Sequence, residues 1–216
     1  MTAGKGHWKC SLLRIGGPAI VMTLTAAHPG YSTDVSHELQ RITASGAWLP
    51  LHLALLPGFA LYGLSMLAWP TAGGRWWRLR QGGVVLSLVF YSAFVGVDGV
   101  AGWLLAHAGA QAPAGLRAGL VDGLTTLFSA ALVGVLALVG VVGWLIAALA
   151  VTAESTAELR RLVPAGLLVL SALALGFSHA PPVGPVGAGF GLVAAILLDV
   201  LTAWQPERVG SAAGGS

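Results

Sequence analysis

Six apolar runs follow one another along this 216-residue chain with only short polar breaks between them. A helix needs roughly 20 residues, at about 1.5 Å each, to cross about 30 Å of hydrocarbon. Runs this long and this uniformly apolar do not fit the strands of a membrane barrel. We therefore predict an all-α, six-transmembrane-helix bundle with spans at about 11–27, 46–68, 82–106, 116–150, 163–179 and 184–204.

Composition places this bundle in a bacterial cytoplasmic membrane. The chain is 56% hydrophobic and only 9% charged, which leaves too little polar surface to cover a water-soluble domain. Arginine outnumbers lysine and asparagine is absent, a usage that GC-rich codons favour. The basic residues are scattered between apolar runs, so the net charge of +3 indicates membrane topology and predicts no nucleic-acid partner.

The orientation follows from the same basic residues. With the N-terminus inside, all of the arginines and lysines except Arg41 and Arg117 fall on the cytoplasmic side. This distribution obeys the positive-inside rule, and the tryptophans lie near the proposed boundaries, as interfacial rings do. We therefore expect a cytoplasmic tail at residues 1–10 and a second, flexible one at 205–216.

Two further features concern the start of the chain. The basic residues followed by an apolar run also fit a signal peptide cleaved after Ala27, which would leave five spans. Between spans one and two, Val35, Leu39 and Ile42 repeat at helical spacing behind possible N-cap residues. This pattern predicts a short helix at about 34–44 that lies along the outer interface.

Motifs exclude several functions and identify no reaction. The single cysteine, Cys10, excludes an intramolecular disulfide and thiol–disulfide exchange between paired cysteines. No nucleotide-binding loop, zinc-protease motif or nucleophile elbow occurs, so we assign no catalytic residue, metal ligand or cofactor. Small-x-x-x-small glycine pairs indicate close helix packing within the chain, with a homodimer or other membrane subunits as alternative partners.

The ionisable residues gather toward the predicted outer side. Asp98 and Asp122 lie roughly 10 Å below that surface, on consecutive spans joined by a short loop, and His52 lies about a turn and a half inside span two. A carboxylate that faces lipid is costly, so these residues should face the bundle. We predict that all three converge on one proton-, cation- or ligand-binding site. Secondary candidates are Tyr91, Thr125, Thr126, Ser129 and His179.

The sequence leaves three hypotheses about function. The first is a small carrier or sensor whose outer-half aspartates and histidines bind a proton, a cation or a polar ligand. The second is a non-catalytic accessory or scaffold subunit whose polar seam fixes helix packing. The third, favoured least, is a metal-dependent membrane enzyme, because no pair of candidate ligands has a diagnostic spacing.

Overall fold

The computed structural model describes residues 4–29, 35–70, 73–129, 131–155 and 159–203, and within these ranges the chain is helical without strands. This agrees with the predicted all-α class. The helices are α1 (Gly4–Ala26), α2 (Val35–Ser45), α3 (Trp48–Leu67), α4 (Gly74–Leu86), a π-helical turn (Ser87–Tyr91), α5 (Ser92–Gln111), α6 (Ala114–Ser129), α7 (Ala131–Ser155), α8 (Leu159–Phe177) and α9 (Val183–Ala203).

Five helical segments in the described ranges are long and apolar enough to cross a membrane. They are Trp48–Leu67, Gly74–Gln111, Val133–Ser155, Arg160–Phe177 and Val183–Thr202. The described ranges therefore contain five candidate spans where six were predicted, and α1, which carries Lys5, Lys9 and Arg14 in its first half, is not among the five.

The predicted fourth span, 116–150, covers most of α6 and α7, and residue 130 between them lies outside the described residues. Of this run, the segment from Val133 to Ser155 is long and apolar enough to span a membrane. The predicted short helix at 34–44 corresponds to α2, Val35–Ser45.

Glycines let the helices approach one another closely. A β-carbon on Gly17 of α1 would lie 2.7 Å from the Leu61 carbonyl oxygen of α3. Gly83 of α4 and Gly143 of α7 face each other, and a β-carbon on either one would overlap the backbone of the other helix. In lipid, such close approach supplies much of the packing energy between helices. The bundle therefore places α1 against α3 and α9, and α4 against α7.

A π-helical turn at Ser87–Tyr91 joins α4 and α5 into one long helix. Its Tyr91 is buried, donates a hydrogen bond to the Leu175 carbonyl oxygen at 3.1 Å and packs against Gly140, where a β-carbon would overlap the Tyr91 backbone. Turns of this kind are rare and frequently mark functional sites. The same helix continues from Tyr91 toward Asp98.

Buried polar residues occupy two separate regions along α3. The arginine end, at the C-terminus of α3, contains Arg14, Arg80, Glu154 and Asp199. The histidine end, at the N-terminus of α3, contains His28, His52, Asp98 and His179. Between them lies an aromatic core, in which neighbouring ring centroids are 4.4–5.9 Å apart: Phe59, Tyr62, Tyr91 and Trp144.

Candidate cation site

His52 is held in a single orientation at the start of α3. Its ring is 1% exposed and stacks on Trp48, with centroids 4.4 Å apart. The ring Nδ1 lies 2.8 Å from the Trp48 carbonyl oxygen, one helical turn earlier. A carbonyl oxygen only accepts hydrogen bonds, so Nδ1 carries a proton and donates it. The other ring nitrogen, Nε2, is therefore the one that faces the site.

Asp98 meets that nitrogen from α5. Its Oδ2 lies 3.3 Å from His52 Nε2, and the carboxylate is 16% exposed. Gly99 makes this approach possible, because a β-carbon there would lie 2.9 Å from His52 Cγ and overlap Cβ. Gly102, one turn further, faces the Trp48 indole in the same way. The glycines near Asp98 therefore serve to bring α5 against α3.

Two more histidines complete the histidine cluster, which we define as His28, His52, His179 and Asp98. His28 follows the end of α1 and His179 lies in the connection between α8 and α9. Both rings are buried, and their centroids lie 5.1 Å from one another. His179 Nε2 is 3.4 Å from the same Asp98 oxygen that faces His52. Residues from four separate parts of the chain thus meet at one point.

The contact between His52 and Asp98 sets the chemistry of this cluster. When His52 is neutral, its proton is on Nδ1, so Nε2 presents a lone pair. An ionised Asp98 also presents only lone pairs, and two acceptors at 3.3 Å repel unless a positive charge lies between them. Either an additional proton or a bound cation supplies that charge. The arrangement is therefore suited to binding a cation.

The structure brings together some of the predicted site residues and separates others. His52 and Asp98 are in contact, and His179, a secondary candidate, lies against the same carboxylate. Asp122 is exposed on α6 and is not among the groups that contact Asp98 in the described chain. Thr126 is also exposed on α6, and Tyr91 belongs to the aromatic core. The side chains of Thr125 and Ser129 lie outside the described residues.

His28 is the member of the cluster that sequence reasoning did not select. In the sequence it directly follows the first predicted span, 11–27, and no pattern in its own surroundings distinguishes it from other histidines near span ends. The signal that could have found it is the one-sided distribution of histidine, since spans one, two and five each carry a histidine at the same predicted side. Imidazole is the commonest protein ligand for metals, and such a concentration indicates a shared site.

Comparisons with known proteins add no family to this description. No protein-family model matches the chain, and neither a curated protein nor a solved structure shows significant similarity to it.

Proposed function

We propose that this chain is a multi-pass membrane protein, a small carrier or sensor, that binds a cation at the histidine cluster in the outer half of its bundle. The observation that supports this function is the contact of His52 Nε2 with Asp98 Oδ2. When His52 is neutral and Asp98 is ionised, helix packing holds two hydrogen-bond acceptors together, and this arrangement favours the binding of a positive charge.

The aromatic core separates the histidine cluster from the arginine end. Tyr62 and Trp144 are 0% and 1% exposed, and Tyr62, Ser171 and the Gly187 carbonyl form a closed hydrogen-bond chain below the cluster. A cation at Asp98 is therefore separated from the arginine end by packed side chains. Such a separation fits a sensor directly, and a carrier would have to rearrange this core to release its cargo on the other side.

We also propose that α1 forms a sixth span, with both termini in the cytoplasm. Its 23 residues extend about 35 Å at 1.5 Å per residue, enough to cross the hydrocarbon. Arg14 does not face lipid, because it is buried and forms an ion pair with Asp199 of α9. Most basic residues then lie on the cytoplasmic side.

Thiol labelling of intact cells tests this topology. Cys10 is exposed and should resist a membrane-impermeant maleimide until the cells are opened. An Ala47→Cys variant in a Cys10→Ser background places an exposed thiol just before α3 and should react from outside. The reverse pattern would overturn the orientation, and external labelling of both thiols would overturn the sixth span.

Thermal unfolding of the purified protein tests the cation site. We expect that one member of a panel of Na⁺, Mg²⁺, Ca²⁺ and Zn²⁺ salts raises the midpoint of the intrinsic tryptophan fluorescence transition. The Asp98→Asn variant should lose this increase, whereas Asp122→Asn, which removes an exposed carboxylate, should retain it. A wild-type midpoint that no cation changes would refute the site and favour an accessory subunit. A response that both variants retain would also refute it.

A further inference from the structure

We infer that the cation is a transition-metal ion of the zinc class, held by His28, His52 and His179 with Asp98 as the fourth ligand. This inference rests on the proposed cation site and goes further by assigning the chemical class of the ion and its ligand set. It also adds His28, which is neither among the predicted site residues nor part of the contact between His52 and Asp98.

The distances of the three histidines support such a site. One ligand nitrogen from each of His28, His52 and His179 can be chosen so that all lie within 4.8 Å of one another, and all three residues are buried. A tetrahedral zinc ion with Zn–N distances of about 2.0–2.1 Å separates its ligand nitrogens by about 3.4 Å. The rings would therefore have to converge by no more than about 1.5 Å, which small side-chain rotations can supply.

The hydrogen bond behind His52 is also typical of a metal ligand. Metal-binding histidines nearly always donate their other ring N–H to a carbonyl or carboxylate, which fixes the tautomer and aims the free nitrogen. His52 donates from Nδ1 to the Trp48 carbonyl oxygen and directs Nε2 into the cluster. His107 has the same kind of hydrogen bond, since its Nδ1 lies 3.0 Å from the Trp103 carbonyl oxygen, but it is not part of the cluster. It is therefore a suitable control for the cluster histidines.

The donor atoms select among cations. Three imidazole nitrogens and one carboxylate oxygen fit Zn²⁺ or Co²⁺ in a four-coordinate site. Mg²⁺ and Ca²⁺ prefer six or more oxygen ligands, which a cluster with a single carboxylate does not offer. A single aspartate neutralises half of the charge of a divalent ion. The remaining charge would lie near the Trp48 and Phe94 rings, which contact His28 and His179. Alkali and alkaline-earth ions should therefore bind poorly.

Metal binding to the untagged, full-length protein tests this inference. After chelation and dialysis, we expect one Zn²⁺ per chain by elemental analysis, and one Co²⁺ with the intense visible absorption of a tetrahedral site. Replacing any one of the three histidines by glutamine should weaken binding by at least about 100-fold, beyond the 10–100-fold typical of residues behind the ligands. The His107→Gln and His37→Gln variants should bind like the wild type.

Each outcome separates this inference from the proposed cation site. If Na⁺, Mg²⁺ or Ca²⁺ stabilises the protein through Asp98 and Zn²⁺ does not, the cation site stands and the metal assignment is wrong. If Zn²⁺ binds equally to the His52→Gln and His107→Gln variants, the ion lies elsewhere and the ligand set is wrong. If no ion binds or stabilises, both fail. Circular dichroism of each variant excludes misfolding, and the Co²⁺ spectrum of Asp98→Asn reports directly on the fourth ligand.

Discussion

The two polar regions of this bundle are built from opposite kinds of contact. At the arginine end, guanidinium donors meet acceptors: Arg80 lies 3.0 Å from Glu154 and 3.1 Å from the Trp69 carbonyl oxygen. Arg14 contacts Asp199 and donates to the Ala68 carbonyl oxygen. At the histidine end, the carboxylate of Asp98 instead meets a ring nitrogen that is an acceptor as long as His52 is neutral.

This difference distinguishes a structural contact from a site that requires a ligand. The arginines contact carboxylates and the carbonyl groups of Ala68 and Trp69 just after α3, where a positive charge also complements the helix dipole. Each of these carboxylates is therefore already paired with a positive charge from the chain itself. The histidine cluster balances its charges only when a proton or a metal ion is added. Removal of one member of an ion pair should therefore destabilise the arginine end. Removal of the Asp98 carboxylate should relieve the repulsion between acceptors in the histidine cluster.

The largest effect should follow from breaking the most deeply buried ion pair. Arg80 and Glu154 side chains are 0% and 1% exposed, so Arg80→Met leaves a carboxylate buried without its guanidinium. We expect a loss of about 3–5 kcal/mol in the free energy of unfolding, measured by denaturation in mixed micelles. Arg78→Met, on the exposed side of α4, is the control and should change stability by less than about 0.5 kcal/mol. Equal losses in both variants would contradict a structural role specific to Arg80.

A smaller effect should follow from separating α5 from α3. In Gly99→Ala the new β-carbon overlaps His52, so we expect a loss of about 1–3 kcal/mol together with weaker Zn²⁺ binding. Gly96→Ala is the matched control on the same helix, because its nearest neighbour would be 3.9 Å away. Unchanged zinc affinity in Gly99→Ala would show that the spacing of these two helices does not determine the site.

Within the arginine end, the partly exposed pair of Arg14 and Asp199 should contribute less to stability than the buried pair of Arg80 and Glu154. Asp199 is 18% exposed, and Arg14 keeps its bonds to the Ala68 carbonyl oxygen and the Ser11 hydroxyl when the aspartate is changed. We expect Asp199→Asn to cost about 1 kcal/mol, between the values for surface and buried pairs. A loss in the free energy of unfolding as large as that of Arg80→Met would show that side-chain exposure does not determine which of the two ion pairs contributes more to stability.

The smallest effect should have the opposite sign. In Asp98→Asn, the amide can donate to His52 Nε2, which turns the contact between two acceptors into a hydrogen bond. At pH 8 with chelator present, this variant should be more stable than the wild type by about 0.5–1.5 kcal/mol, while it no longer responds to Zn²⁺. A loss of more than about 1 kcal/mol without metal would place Asp98 among the structural residues instead.

Some of this arrangement could be predicted from sequence. The cost of a carboxylate in lipid indicated that Asp98 faces the bundle, and counting residues from the span ends placed both Asp98 and His52 in its outer half. The predicted convergence with Asp122 relied on its matched depth and on the short connection between the two spans, and neither of these determines helix rotation. Asp122 is exposed on α6. The one-sided distribution of histidine indicated a shared site, but the inclusion of His28 in it depends on how α1 packs against α3. Helix rotation and helix pairing are properties of side-chain packing, which periodicity alone does not encode.

The π-helical turn has a consequence for how one helix serves both regions. Arg80 and Asp98 are roughly 18 residues apart, which is about five turns of an α-helix, so an uninterrupted helix would point both side chains in the same direction. The π-helical turn at Ser87–Tyr91 shifts this phase. Arg80 contacts Glu154 of α7 and the Trp69 carbonyl oxygen just after α3, and Asp98 contacts His52 of α3 and His179. Deleting one residue of that turn would rotate Asp98 by about 100° relative to Arg80. The insertion or deletion of a single codon in this turn would therefore change the direction of Asp98 relative to Arg80.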